Sequence, residues 1–276
     1  LHAPTNVLST RVGTMSDPFT PTVGGILSAD IAVPEHEREL EFYSRILTTG
    51  ENPLWREDLM NNMGMPIIGL GERSPEHADL PLQWMPHIQV VDVGASAGRA
   101  LARGGRELIH QKDDRGDSQW AVLLDPNGAA FGVIPIVPSQ AIPPISGGSS
   151  SDVVGRISWL DLTVSDASAT RDFYQEVLGW SVQDVEMEDA GGTYSDYAMC
   201  ASDGSAVAGV CYARGVNQGL SPVWMICLSV GDLAQSLARV QENGGEVVEA
   251  RKGSDGEFAY AAVRDPVGAC LALVPG

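Results

Sequence analysis

Hydrophobic and polar positions along the second half of the chain fall into a pattern that occurs twice. ISWLDLTV (157–164) reads as a strand, Ser165 or Asp166 offers a helix N-cap, and ASATRDFYQEVLGW places Phe173, Val177 and Leu178 on one helical face until Gly179. Three short strands are predicted next, around Val182–Glu186, Thr193–Cys200 and Ala206–Tyr212. The pattern then restarts. WMICLSV reads as a strand, Asp232 caps a helix over LAQSLARVQENGG, and strands near Glu246–Arg251, Phe258–Val263 and Ala269–Val274 follow. Each pass is one β-α-β-β-β module.

The first half matches the second. Gln83–Leu108 aligns without a gap on Val223–Val248, with Trp84 on Trp224 and Gly104-Gly105 on Gly244-Gly245, 140 residues apart. Ala29–Leu47 (ADIAVPEHERELEFYSRIL) aligns on Leu160–Leu178 (LDLTVSDASATRDFYQEVL) at an offset of 131 residues. Both halves close on an Asp-Pro-x-Gly turn entering an apolar strand, LLDPNGAAFGVI at 123–134 and VRDPVGACLALV at 263–274. The chain is therefore predicted to be a duplicated α+β protein, four β-α-β-β-β modules forming two curled sheets with clefts. The expected division is a disordered leader at 1–22, a first domain at 23–138, a linker at 139–154 rich in Pro, Gly and Ser, and a second domain at 155–276. Asp30 to Trp84 spans 54 residues against 63 from Asp161 to Trp224, so a strand of the first module is expected to be short or replaced by a loop.

Composition narrows the function. Seventeen Lys and Arg against 36 Asp and Glu give a net charge of −19, which argues against nucleic acid and anionic membranes as partners. The excess acid reads as a solvated surface. Cys200, Cys211, Cys227 and Cys270 sit in apolar or alternating runs without metal-site spacing, as small buried hydrophobes of a reducing compartment, which points to the cytoplasm. No apolar run approaches a membrane span and the first residues do not read as a signal peptide; Met15 is a candidate start. Phosphate-binding, dinucleotide and hydrolase-elbow motifs are not found.

The modules, the Phe-Tyr-x-x-x-Leu helix ends (Phe42, Tyr43, Leu47 and Phe173, Tyr174, Leu178) and the two closing turns resemble the vicinal oxygen chelate superfamily, which includes glyoxalase I, extradiol dioxygenases and bleomycin resistance proteins. The resemblance covers about residues 24–275. WMPHIQVVDV and DPNGAAFGV further resemble a two-domain, glyoxalase-like "hydroxylase" branch of actinomycete type, while WMICLSVGDL and DPVGACLAL depart from it. In metal-dependent members, the resemblance implies a His or Gln opening the first strand, a His opening the fifth and a Glu in the closing strand. The corresponding positions here are Ser28, Met85 and Gly132, then Trp159, Met225 and Ala272, which form no credible ligand set for a divalent ion. No metal and no cofactor are expected.

Because side chains alternate along a strand, residues two away from these positions are expected to face the cleft. The polar ones include Asp30, His87 and Gln89 in the first half and Asp161, Thr163, Cys227 and Ser229 in the second. Asp30 and Asp161 are expected to be desolvated, either as a raised-pKa base or ligand anchor or as structural carboxylates bonded to neighbouring backbone. His87 is either a satisfied core residue or the partner of Asp30 in an acid–base pair. Trp84, Trp159, Tyr197 and Trp224 are candidates to line the cleft, Trp159 as a flat wall for a planar ligand.

Three functions remain open at this point. One is a metal-free protein, monomer or homodimer, binding an aromatic or polyketide-like compound through Trp84, Gln89, Trp159, Asp161, Tyr197, Trp224 and Cys227, for sequestration, resistance or natural-product metabolism. A second is a metal-independent enzyme, of hydroxylase, hydratase, lyase or isomerase type, using Asp30 and His87. A metalloenzyme with ligands relocated to those two residues is a third.

Overall fold

The computed structural model describes residues 21–51, 53–55, 68–138 and 157–276. Met15, most of the expected leader and the whole expected linker lie outside them. In the first half the elements run β1 (Ile26–Val33), α1 (His36–Leu47), β2 (Ile68–Glu72), β3 (Met85–Val90), α2 (Val93–Ala102), β4 (Arg106–Lys112), β5 (Ser118–Leu124) and β6 (Ala130–Pro135). The second half gives β7 (Ile157–Val164), α3 (Ala167–Leu178), β8 (Ser181–Asp189), β9 (Gly192–Cys200) and β10 (Ala206–Tyr212). Its last module is β11 (Trp224–Val230), α4 (Leu233–Glu242), β12 (Glu246–Lys252), β13 (Phe258–Arg264) and β14 (Cys270–Pro275).

Strand order is β2-β1-β3-β6-β5-β4 in one sheet and β12-β13-β14-β11-β7-β10-β9-β8 in the other. This is the α+β architecture of tandem modules that the repeat predicts. The first module contributes β1 and β2 among the described residues, where the third contributes four strands. Residues 56–67, within the region expected to be shortened, are not described.

Local chemistry explains the helix bounds. Asp92, Asp166 and Asp232 each accept the N–H three residues on, from Ala95, Ala169 and Gln235 at 2.8, 3.0 and 2.8 Å. Gly179 ends α3 at φ 76°, a left-handed conformation open to glycine at little cost. Glu35, at the same point of α1, makes no capping bond.

Packing gathers the described residues into two compact units, each drawing on both halves of the sequence. One takes those within 1–27, 87–139 and 159–224; the other takes those within 28–86, 140–158 and 225–276. In the first, α2 packs on α3, and Phe131, Phe173, Tyr174, Trp180 and Trp224 form a ladder of edge-on and tilted rings with centroids 5.0–6.2 Å apart. In the second, α1 packs on α4, Phe42, Tyr43 and Trp84 are edge-on, and Trp55 donates its indole N–H to the Ser229 carbonyl at 2.7 Å.

The repeated motifs meet in these cores. In the second unit, Trp84 Nε1 donates to the Tyr43 hydroxyl at 3.1 Å, and that hydroxyl donates to Asp265 Oδ2 at 2.9 Å. In the first, Trp224 Nε1 donates to the Tyr174 hydroxyl at 2.9 Å, and Tyr174 is the hydrogen-bonding neighbour of Asp125. The two aspartates also hold their own turns, taking the N–H of Ala129 and Ala269 at 2.8 and 2.7 Å. Each latch thus joins a Tyr of one half to the closing turn of the other. Burial, with the facing aspartate second, pushes both tyrosines well above the usual phenol range.

Tyr174→Phe leaves the Trp224 indole N–H without its acceptor in the core and takes one donor from Asp125, and is expected to cost about 1–3 kcal/mol in urea unfolding. Arg103→Ala, which breaks an exposed ion pair with Glu176 in the same unit, is expected to leave the urea midpoint close to that of wild type.

Candidate functional site

The first unit carries a polar face on the β7-β10-β9 part of its sheet. Leu160, Leu162 and Val164 are buried on the opposite side of β7. Trp159, Asp161 and Thr163 therefore share this face. Register sets Gly209 beside Asp161 and Cys211 beside Thr163, while Ala198 pairs with Gly209. Two residues back from Ala198, the same alternation brings Asp196 beside Cys211 and then Tyr194.

Trp159 is half-buried and its indole N–H donates to Asp161 Oδ1 at 2.9 Å, so the ring is held against the strand. Asp196 is fully buried; Oδ1 accepts the Tyr212 N–H at 2.8 Å, while Oδ2 has no hydrogen-bond partner. Burial pushes its carboxyl up to about 6, against the opposing pull of that N–H, the Cys211 thiol and Arg214. The Cys211 thiol is pushed well above its ordinary value by burial, then by the negative charges of Asp161 and Asp196. At the end of the face the Arg214 guanidinium lies 4.1 Å from the Tyr194 ring centre and grips Asp189 through two bonds of 2.7 Å.

Chemically this is an aromatic wall with a neutral thiol and a carboxyl poised to change charge in mildly acidic solution. Asp196 and Cys211 escaped the sequence reading because it worked outward from the six lost ligand positions. Period-two alternation through GTYSDYAMC was the available signal.

Other expected site residues of this unit lie elsewhere. Tyr197 falls on the helix side of β9, nearly buried, with Arg171 4.5 Å from its ring centre. Trp224 is fully buried in the latch. Gln89 is buried; its backbone bonds Gly24 and Gly25, its Oε1 accepts the Val137 N–H at 3.0 Å, and its Nε2 has no partner. His87 pairs in register with Gly132, and a Cβ built on that glycine would stand 2.6 Å from the imidazole Cδ2. The imidazole therefore occupies the space a carboxylate side chain at 132 would need.

In the second unit, Asp30 is exposed, which corrects the expectation that it is desolvated. The reason lies across the strand pair: its partner is Gly69, whose missing side chain leaves room for the carboxylate and no cover over it. Trp84 is fully buried in the latch and Cys227 fully buried, its carbonyl taking the Ser158 hydroxyl at 3.1 Å. Met225 is buried and its sulfur accepts the Tyr260 hydroxyl at 3.5 Å. Asp30 and His87 belong to different units.

The metal implied by the family resemblance does not fit these residues. Gly132 is overlapped by an imidazole, Met225 is engaged by a phenol and Ala272 is a buried methyl group. Among the described residues no three of His, Cys, Asp and Glu converge closely enough to hold an ion. None of the four cysteines forms a disulfide. No described helix is long and apolar enough to cross a membrane.

Comparison with known proteins places the second half. The Glyoxalase/Bleomycin resistance protein/Dioxygenase superfamily matches residues 156–273. CFP32 of Mycobacterium tuberculosis, provisionally described as a glyoxylase, is 31% identical over 122 residues, covering 43% of this chain and 45% of that protein. The chain thus aligns with less than half the length of that relative. The anthracycline biosynthesis protein DnrV of Streptomyces peucetius is 28% identical over 204 residues, 74% of this chain and 69% of DnrV. Among solved structures, a variant of homoprotocatechuate 2,3-dioxygenase from B. fuscum superposes with a TM-score of 0.53 at 18% identity, covering 93% of this chain and 72% of the other. At that identity the likeness concerns fold alone.

Gly132→Ala is expected to cost about 1–3 kcal/mol in denaturant unfolding, because the new methyl group meets the His87 ring. In a His87→Ala background the same change is expected to cost far less, and the double-mutant cycle reads the difference.

Proposed function

We propose that this member of the glyoxalase/bleomycin resistance protein/dioxygenase superfamily, to which residues 156–273 assign it, binds a planar aromatic or polyketide-type small molecule on the Trp159 face of its first unit, without a metal. The observation that carries the proposal is Trp159 itself. A half-buried indole, steered by Asp161, stands where metal-dependent members carry a ligand, and polar groups follow on the same face. Stacking supplies area, and Asp161 supplies a fixed acceptor for a hydroxyl or amine donor. The names of DnrV and DauV, both anthracycline biosynthesis proteins, support a compound of this class. Sequestration and natural-product metabolism are both compatible with such binding.

Metal-free protein titrated with a panel of planar aromatic compounds is expected to show saturable quenching of tryptophan fluorescence. Trp159→Ala should weaken binding at least tenfold and Asp161→Asn several-fold. Unchanged affinity in both variants would remove the site from this face.

A second reading, a metal-independent enzyme, draws on Asp196 rather than on the Asp30–His87 pair. A carboxyl poised near 6 on the same face, two strands across from β7 and level with Thr163, has the titration range of a general acid or base. If Asp196 serves as the base, turnover rises with pH through about 6, and Asp196→Asn abolishes that rise while leaving binding within a few-fold. Saturable binding with no turnover of any ligand in the panel would retire this reading and leave the first.

A further inference from the structure

The two latches are built from the same Trp, Tyr and Asp, but the donors around their aspartates differ. In the first unit, Asn127 donates from its backbone N–H to Asp125 Oδ1 at 2.8 Å and from its side-chain amide to Asp125 Oδ2 at 3.1 Å. The amide also donates to Thr170 Oγ1 at 3.0 Å, and Thr170 donates to the Asp166 carbonyl at 2.9 Å. Both oxygens of Asp125 thus meet donors within this cluster.

In the repeat alignment Asn127 corresponds to Val267 and Thr170 to Glu39. Val267 keeps the backbone bond to Asp265 Oδ1, at 3.2 Å, but has no side-chain donor to offer the carboxylate. Glu39 is fully buried, and neither of its side-chain oxygens meets a hydrogen-bond donor. Two ionised carboxylates can only repel each other, since each is an acceptor alone. One proton between them removes the repulsion and supplies the donor that Val267 took away.

We propose that Glu39 is carried protonated in the folded protein and donates a hydrogen bond to Asp265, so that the second unit's latch depends on a proton where the first unit's latch depends on an amide. No bond other than this O–H contact forms, and the proton returns to solvent when the unit opens. The charged and titratable groups acting on Glu39 are Asp265 from the β13–β14 turn and Arg38 and Glu35 from its own helix, with Tyr43 on the far side of Asp265. Burial first, then the charge of Asp265 and the bond to it, push Glu39 from about 4.5 up to about 8, and Arg38 opposes this only weakly. Asp265 is also raised by burial, but the donors Tyr43, Ala269 and Glu39 pull it back, so the proton rests on Glu39.

The sign follows. An acid whose folded pKa exceeds its unfolded value holds its proton longer in the native state, so native stability falls as pH rises from about 4.5 to about 8 and levels above that. Glu39→Gln keeps a neutral donor at every pH, and Glu39→Thr with Val267→Asn rebuilds the first unit's arrangement.

The test is urea unfolding of the full chain between pH 5 and 9, followed by near-UV circular dichroism, for wild type, Glu39→Gln and the Glu39→Thr/Val267→Asn double variant. The unfolding constant of wild type relative to Glu39→Gln is expected to rise by up to tenfold per pH unit across pH 5–8 and then to level. The double variant should follow Glu39→Gln. Carbon-13 NMR of the wild-type Glu carboxyl groups supplies a readout that needs no variant: one resonance should titrate above pH 7. Parallel pH curves for all three proteins, or every glutamate titrating below pH 6, would overturn the proposal.

Discussion

A buried indole N–H bonded to a phenol that in turn bonds a turn carboxylate is the constraint on which each unit depends. All three groups are polar, and none could be placed in a core alone without loss of its water bonds. Together they let a helix, the start of a central strand and a closing turn meet at one point with these polar groups bonded to one another. The arrangement explains the spacing of the sequence motifs. Phe-Tyr, Trp-Met and Asp-Pro-x-Gly recur in both halves because each latch uses one of each, with the Asp borrowed from the other half. The same demand accounts for the two compact units cutting across the duplication.

Around that shared frame the units have diverged. In the first, the polar face gathers an aromatic wall, a thiol and a buried carboxyl, and the imidazole of His87 fills the room that a closing-strand carboxylate would require. In the second, the corresponding positions have become a methionine bonded to a phenol and a buried alanine. The chemical interest of the second unit has moved to the helix side, where Glu39 stands in place of a threonine. A duplicated fold has thus kept its internal fasteners while changing what each copy presents.

Much of the scaffold was legible in the chain. The aspartate caps, the glycine stop after α3 and the strands of the second half follow from local chemistry and period. Matching Trp84 to Trp224 was sound, yet reading both as cleft residues was not required by it, since a residue repeated in two copies can as well be repeated for packing. Tyr197 shows how narrow the margin is: one position along β9 separates the helix side from the polar face, where Tyr194 and Asp196 stand. The exposure of Asp30 was beyond local reading, because it is set by Gly69 on the neighbouring strand. Asp196 and Cys211 come together only through strand register, which the sequence does not state.

The two latches also differ in how much chain they enclose. Asp125 and Tyr174 are 49 residues apart, whereas Tyr43 and Asp265 are separated by 222. On loop-closure entropy alone the longer contact costs roughly 1.3 kcal/mol more to form. Asp265 also follows every other residue of its latch in chain order, Tyr43 and Trp84 lying far upstream. All segments of the first unit precede residue 225, so it can close before Asp265 is made, whereas Trp84 and Tyr43 lack the carboxylate of their latch until the chain reaches it.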